Sequence, residues 1–116
     1  MPAQMIRQLS ADDAIVPAAE GELLLIDVRE AGELAQTGRA AGAVHIPLGT
    51  LAMRADPTSA ACHPALKEGK PIAIYCAAGA RAQKAAEILV EFGYSDVSNL
   101  GRIADWAAAG GPIERE

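Results

Sequence analysis

One stretch of the sequence, from Pro71 to Arg81, constrains the fold and the chemistry of this chain more than any other. It contains an apolar, strand-like run that ends in Cys76, then four small residues, then an arginine that opens a helical pattern. A buried strand, a tight loop and a helix N-terminus in this order form an anion site, because loop N–H groups turn inward and the helix dipole is positive there. The stretch therefore predicts a thiol surrounded by N–H donors.

The loop between Cys76 and Arg81 contains only small side chains. Its members are Ala77, Ala78, Gly79 and Ala80. They leave room for the backbone to wrap an atom held on Cys76, and Gly79 can adopt a positive φ in such a turn. The N–H donors favour the thiolate, which is the nucleophilic form of cysteine. A strand-end cysteine that merely packs in the core is the alternative, and the strand–loop–helix order favours the reactive cysteine.

The rest of the chain alternates between strand-like and helix-like segments. Strands are predicted at 23–26, 43–46, 71–76 and 96–99. Helices are predicted at about 11–18, 30–36, 48–53, 60–67, 81–93 and 103–109. The continuous apolar run at 23–26 is typical of a strand that is covered on both faces. The alternation predicts an α/β fold in which helices flank a central, mostly parallel sheet.

Polar residues follow the first predicted strand at its carboxyl end, in the order Asp27-Val28-Arg29. Parallel sheets bind ligands at this edge, so these residues are expected to lie near Cys76. We expect Asp27 to be architectural, accepting hydrogen bonds from nearby backbone or from Arg81. Arg29 either binds the anionic end of a substrate or forms a structural salt bridge. The candidate partners for that salt bridge are Asp27, Glu30 and Glu33.

Length and composition exclude several classes of protein. A chain of 116 residues predicts one domain, 1–116. The net charge of −5 argues against nucleic-acid binding. There is no apolar run near the length of a membrane helix and no signal-peptide core at the start, so a cytoplasmic protein is expected. The two cysteines and two histidines lack metal-ligand spacing, and no metal or other cofactor is predicted.

Four further residues receive mainly structural predictions. His45 is expected to be packed or at the surface, and Trp106 to fill the core beneath the last helix. Cys62 could resolve an oxidised Cys76, but no spacing supports that role. Arg102 is either solvated or at the mouth of the site.

The motifs together resemble the single-domain rhodaneses, a family of sulfurtransferases, over about residues 9–112. The matching segments lie in the family's order at 25–30, 42–48, 75–81, 92–94 and 97–100, followed by Trp106 and Gly111-Pro112. Each segment is weak evidence alone, whereas the ordered set is specific. The resemblance implies a three-layer fold in which the central sheet lies between helices.

The resemblance also implies that Cys76 carries a persulfide between two half-reactions. The thiolate would take sulfane sulfur from a donor such as thiosulfate and pass it to an acceptor such as cyanide or a thiol. The N–H groups of 77–81 would stabilise the outer sulfur, and Arg81 would both bind the substrate anion and tether the loop. The expected partners are a small-molecule donor and acceptor, with a protein acceptor as an open alternative.

Two other functions remain open within the same fold. Rhodaneses that use thiosulfate often have lysine or arginine inside the loop, whereas here Arg81 is the only loop charge. This favours, as an alternative, a carrier or regulatory module that receives persulfide from a partner protein. The related phosphatases and arsenate reductases separate cysteine from arginine by five residues. Four residues separate them here, which disfavours those activities.

Overall fold

A computed structural model describes residues 6–115, so both predicted domain boundaries, 1 and 116, lie outside the described residues. The strands are β1 (Ile6–Gln8), β2 (Leu24–Asp27), β3 (Arg39–Ala40), β4 (Val44–His45), β5 (Ile72–Cys76), β6 (Val97–Arg102) and β7 (Ile113–Glu114). Five of them form a parallel sheet in the order β1-β6-β5-β2-β4, while β3 and β7 form a separate antiparallel pair. The strand that ends in Cys76 is therefore the centre of the main sheet.

Helices cover both faces of this sheet. They are α1 (Ala11–Ala19), α2 (Ala31–Thr37), α3 (Leu48–Ala55), α4 (Ala80–Glu91) and α5 (Ile103–Ala108), with a 3-10 helix at Pro64–Lys67. One apolar cluster joins the sheet to α3 and α4, and a second joins it to α1 and α5. The predicted α/β fold, a central parallel sheet between two helical layers, is confirmed.

The side chains of β5 explain how the sheet positions the thiol. All five residues of this strand are buried, and successive side chains alternate between the two faces. Ile72, Ile74 and Cys76 belong to the cluster with α3 and α4. Ala73 and Tyr75 belong to the cluster with α1 and α5. Cys76 therefore faces the layer that contains α4, the helix that the loop leads into.

The prediction of a helix over 60–67 is wrong for the first half of that range. Only the 3-10 helix that begins at Pro64 forms, because a first helical position tolerates the missing N–H of proline. The Ser59 hydroxyl accepts a hydrogen bond from the Ala61 N–H at 3.0 Å, which closes a turn instead of capping a helix. The short helix is capped by Nδ1 of His63.

The sequence analysis does not predict three of the observed strands, and it predicts a fourth strand shorter than the structure shows. The strands β1, β3 and β7 contain only two or three residues each, which is too few to show a period of two. The strand β6 continues to Arg102 instead of ending at 99, and an irregularity in its pairing with β5 follows Ile74. The extension brings Arg102 into register with Cys76.

The last helix is closed by a tight contact between Trp106 and Gly111. The Trp106 side chain is buried, and its indole N–H donates to the carbonyl oxygen of Pro112 at 2.8 Å. A Cβ on Gly111 would lie 2.3 Å from Cε2 of that indole, so only glycine fits there. The expectation that Trp106 fills the core is confirmed.

Candidate active site

Cys76 ends β5 with its sulfur beneath the first turn of α4. The residue is 1% exposed. Its Sγ accepts hydrogen bonds from the N–H groups of Gly79, at 2.9 Å, and Ala82, at 3.4 Å. Gly79 has φ +100°, in the region that favours glycine, as the sequence predicted. The fold thus directs backbone donors at the sulfur, and such donors stabilise negative charge on it.

The remaining N–H groups of the loop have no hydrogen-bond partner in the part of the chain that the structure describes. Within residues 6–115, no hydrogen-bond acceptor faces the N–H groups of Ala77, Ala78, Ala80 or Arg81. The side chains of Ala77, Ala78 and Ala80 are exposed, and Gly79 is half-buried. The loop therefore offers backbone donors around a buried sulfur, with no side chain larger than a methyl group before Arg81.

Arg81 is tethered to α2 through Glu33. Nη1 donates to Oε1 at 2.7 Å and Nη2 donates to Oε2 at 2.9 Å, which is the bidentate geometry that guanidinium and carboxylate groups favour. Both side chains are about one-third exposed. Glu33 also accepts a hydrogen bond from the N–H of Glu30 as part of a capping box at the start of α2.

The pair shifts the titration of both partners. The Arg81 hydrogen bonds, helped by the Glu30 N–H, lower the pKa of Glu33 from 4.5 to about 2. The Glu33 hydrogen bonds raise the pKa of Arg81, and the charges of Glu33, Cys76 and Glu30 add to this effect against the opposing effect of burial. The sequence predicts Glu33 only as a candidate partner for Arg29, so its role beside Arg81 is not foreseen. The available signal was the capping box, which orients its carboxylate.

Arg29 is a buried structural residue, which corrects its prediction as a ligand for the donor. It is 1% exposed, and Asp27 is 0% exposed. Nε and Nη2 of Arg29 donate to the Asp27 carboxylate, with Nη2–Oδ2 at 2.8 Å. Nη1 donates to the Thr37 hydroxyl, and Nη2 also donates to the Gly38 carbonyl. All three guanidinium nitrogens are therefore occupied by protein acceptors.

The position of this ion pair explains why it does not reach the thiol. The Arg29 guanidinium lies 5.8 Å from the centre of the Tyr75 ring, on the sheet face opposite Cys76. The predicted salt bridge to Asp27 is the alternative that the structure contains. Asp27 is architectural as expected, but its partners are the backbone N–H and guanidinium of Arg29, not Arg81.

Arg102 lies beside Cys76 in the neighbouring strand, with its side chain directed to solvent. Its guanidinium donates to the carboxylate of Asp105 at 2.7 and 3.1 Å, and both side chains are about half exposed. The Asp105 hydrogen bonds raise the pKa of Arg102. The solvated alternative is therefore observed, at the same sheet edge as the loop.

The two other candidates, His45 and Cys62, lie in surroundings that are typical of structural residues. Nε2 of His45 lies 2.7 Å from the carbonyl oxygen of Arg29. When Nε2 carries the proton, the ring donates a hydrogen bond that fixes the backbone at Arg29. Cys62 and Cys76 are both buried free thiols, with no disulfide between them. The described part of the chain contains no group of three His, Cys, Asp or Glu residues arranged to hold a metal ion.

A cavity of about 390 Å³ lies at the opposite edge of the sheet, against the amino ends of its strands. Leu9, Leu23, Pro71 and Ser98 are among its lining residues, and no residue of the Cys76 loop is. The candidate site is therefore the loop itself, and this cavity has no part in it. The helices of residues 6–115 are all too short or too polar to cross a membrane.

Residues 10–109 match the sequence model of the Rhodanese-like domain. The chain belongs to the rhodanese-like family. A solved rhodanese-related protein from Thermoplasma volcanium is 29% identical, with a TM-score of 0.76, covering 95% of this chain and 99% of that one. The human single-domain sulfurtransferase TSTD1 is 27% identical, with a TM-score of 0.71, covering 87% of this chain and 95% of that one.

A third similar structure carries a different description. It is a protein of unknown function from Rhodopseudomonas palustris, described as a possible tyrosine phosphatase. It is 31% identical, with a TM-score of 0.87, covering 97% of this rhodanese-like chain and 88% of its own. No curated protein matches the chain. The predicted family and fold are thus confirmed, whereas the similar structures carry more than one description of activity.

Proposed function

We propose that this rhodanese-like chain is a sulfurtransferase that carries sulfane sulfur as a persulfide on Cys76. The observation that carries the proposal is the arrangement of backbone donors around Sγ. Gly79 and Ala82 donate to the sulfur itself. The neighbouring loop N–H groups have no acceptor within residues 6–115, so they are free to bind an additional anionic sulfur.

The first half-reaction loads the thiol. The Cys76 thiolate attacks the outer sulfur of a donor R–S⁻, where R is the leaving group, and a new S–S bond forms. The bond between that sulfur and R breaks, and R leaves with its electron pair, as sulfite when the donor is thiosulfate. The product is Cys–S–S⁻, whose outer sulfur carries the negative charge that the loop N–H groups stabilise.

The second half-reaction returns the enzyme to its starting state. A nucleophile such as cyanide or a thiolate attacks the outer sulfur of the persulfide and forms a bond to it. The S–S bond breaks, and its electron pair returns to Cys76 as the thiolate. No redox cofactor is needed, because each step exchanges one two-electron bond for another. Arg81 and Glu33 hold the loop against α2 during both steps.

Intact mass spectrometry tests the proposal. The natural chain, Cys76→Ser and Cys62→Ser are incubated with thiosulfate, or with a persulfide donor, and excess donor is removed. We expect the natural chain and Cys62→Ser to gain one sulfur atom that cyanide removes, and Cys76→Ser to gain none. Sulfur uptake by Cys76→Ser, or no uptake by the natural chain from any donor, would show that the assignment is wrong.

A second candidate function is favoured by the description of the Rhodopseudomonas palustris protein as a possible tyrosine phosphatase. The four-residue separation of Cys76 and Arg81 opposes it, since a shorter loop gives a smaller cradle than a tetrahedral phosphate needs. Turnover of p-nitrophenyl phosphate that disappears in Cys76→Ser would support this candidate. Sulfur loading without such turnover would exclude it.

A further inference from the structure

The arginines that lie at or just after the carboxyl ends of β2, β5 and β6 are all paired with carboxylates. These pairs are Arg29 with Asp27, Arg81 with Glu33 and Arg102 with Asp105. Each guanidinium lies within 2.8 Å of its carboxylate partner at the closest contact. The edge of the sheet that contains Cys76 is therefore rich in arginine without being a positively charged surface.

The pair between Arg81 and Glu33 matters most for the thiol, because Arg81 is the only charged residue of the loop. Glu30 is also close enough to influence Arg81 electrostatically. A donor that approaches Cys76 thus meets backbone N–H groups and one guanidinium whose two terminal nitrogens both face Glu33. The local charge offered to an anion is close to zero or negative.

This balance has unequal consequences for donors of different charge. An anionic donor must approach a thiolate, and the repulsion grows in proportion to the charge on the donor. An unpaired cation at the loop would offset that repulsion twice as strongly for a dianion as for a monoanion. In this site the Glu33 carboxylate neutralises the Arg81 guanidinium, so a dianion gains no such advantage.

We propose that Glu33 is a specificity-determining residue, which makes the Cys76 site favour singly charged or neutral sulfane-sulfur donors over doubly charged donors such as thiosulfate. The proposal rests on the proposed sulfurtransferase function and identifies the substrate class of that site. It places the determinant outside the loop, at the start of α2.

Two donors that differ by one charge provide the test. Thiosulfate and methanethiosulfonate both transfer a terminal sulfur by breaking one S–S bond. They release sulfite and methanesulfinate, respectively, with the electron pair of that bond. In methanethiosulfonate a methyl group replaces one charged oxygen. The ratio of their loading rates onto Cys76 reports the preference for charge, and each donor's intrinsic reactivity cancels when this ratio is compared between variants.

The key variant is Glu33→Gln, with Glu68→Gln as the matched control. Glu68 also forms a salt bridge, at 3.1 Å to Lys70, but that exposed pair precedes the amino end of β5, opposite the thiol. At low ionic strength, we expect Glu33→Gln to raise the thiosulfate-to-methanethiosulfonate ratio by about three- to tenfold, and 1 M salt to reduce this gain. Glu68→Gln should leave the ratio unchanged.

A second variant, Ala78→Lys, tests the charge argument without disturbing the tether. It adds a cation at an exposed loop position, and we expect it to raise the ratio in the same direction. An unchanged ratio in Glu33→Gln, with both donors loading Cys76, would overturn the inference and leave the proposed function intact, whether or not Ala78→Lys raises the ratio. Failure of every donor to load the natural chain would instead overturn the proposed function.

Discussion

Replacing Arg29 by methionine tests whether this residue supports the fold or binds the donor. The change removes the guanidinium but keeps a long apolar side chain on the buried strand end. Asp27, which is 0% exposed, then loses the partner of its carboxylate. The Thr37 hydroxyl and the Gly38 carbonyl each lose a donor as well.

The expected cost follows from this burial. Removing one partner of a buried ion pair typically costs about 3–5 kcal/mol, because the remaining charge stays buried without compensation. With a urea dependence of about 2 kcal/mol per molar, the unfolding midpoint should fall by roughly 1.5–2.5 M. The double variant Asp27→Asn with Arg29→Met should recover part of this loss, because it leaves no charge behind.

Fluorescence of Trp106 is a suitable assay, because it is the chain's single tryptophan and it is buried. The matched control is Arg102→Met, which breaks a solvent-exposed pair and should leave the midpoint close to that of the natural chain. Sulfur loading is measured in parallel under conditions in which each variant is folded. A native midpoint for Arg29→Met together with lost loading would refute the structural role and restore donor binding.

Two further predictions concern packing and pH. Gly111→Ala should lower the free energy of unfolding by about 1–3 kcal/mol, because its Cβ would lie 2.3 Å from the Trp106 indole. Gly49→Ala, at an open position within α3, should be neutral or stabilising in the same urea titrations. Glu33 has a pKa lowered from 4.5 to about 2, so its stabilising contribution is complete above pH 4.5 and lost as pH falls toward 2. The urea midpoint difference between the natural chain and Glu33→Gln should stay constant from pH 8 to about 5 and shrink below; a difference that disappears near pH 6 would contradict the pair.

The sheet and its helices were largely predictable because the sequence pattern of each segment agrees with the strand or helix that it forms. The run at 23–26 and the buried strand before Cys76 are continuous apolar segments, as a doubly covered parallel sheet requires. The helix α4 places Ala82, Ala85 and Leu89 on one buried face at helical spacing. Periodicity failed at 60–67, where Pro64 begins a short 3-10 helix and local turns satisfy the preceding backbone.

The loop around Cys76 was predictable for the same reason, since its strand, small residues and helix are contiguous. The partners of its charges were not. Arg81 and Glu33 are 48 positions apart, and two carboxylates, those of Glu30 and Glu33, follow β2. The sheet order brings both near the loop, because β2 lies directly beside β5, and the capping box orients Glu33. Arg29 is closer in sequence to these carboxylates than Arg81 is. Its side chain nevertheless lies on the face of the sheet opposite Cys76, where it pairs with Asp27.

The capping box gives the Glu33 carboxylate a fixed orientation, and this determines how completely it neutralises Arg81. A surface glutamate alone would exchange between its partner and water, at a small energetic cost. Here one carboxylate oxygen is shared by the Glu30 N–H and Arg81, and the helix dipole favours a negative charge at this position. The carboxylate would keep its place if Arg81 moved, whereas Arg81 has no other anchor among its contacts within residues 6–115. The first turn of α2 therefore fixes a negative charge beside Arg81, and a change confined to the loop would leave that acidic partner in place.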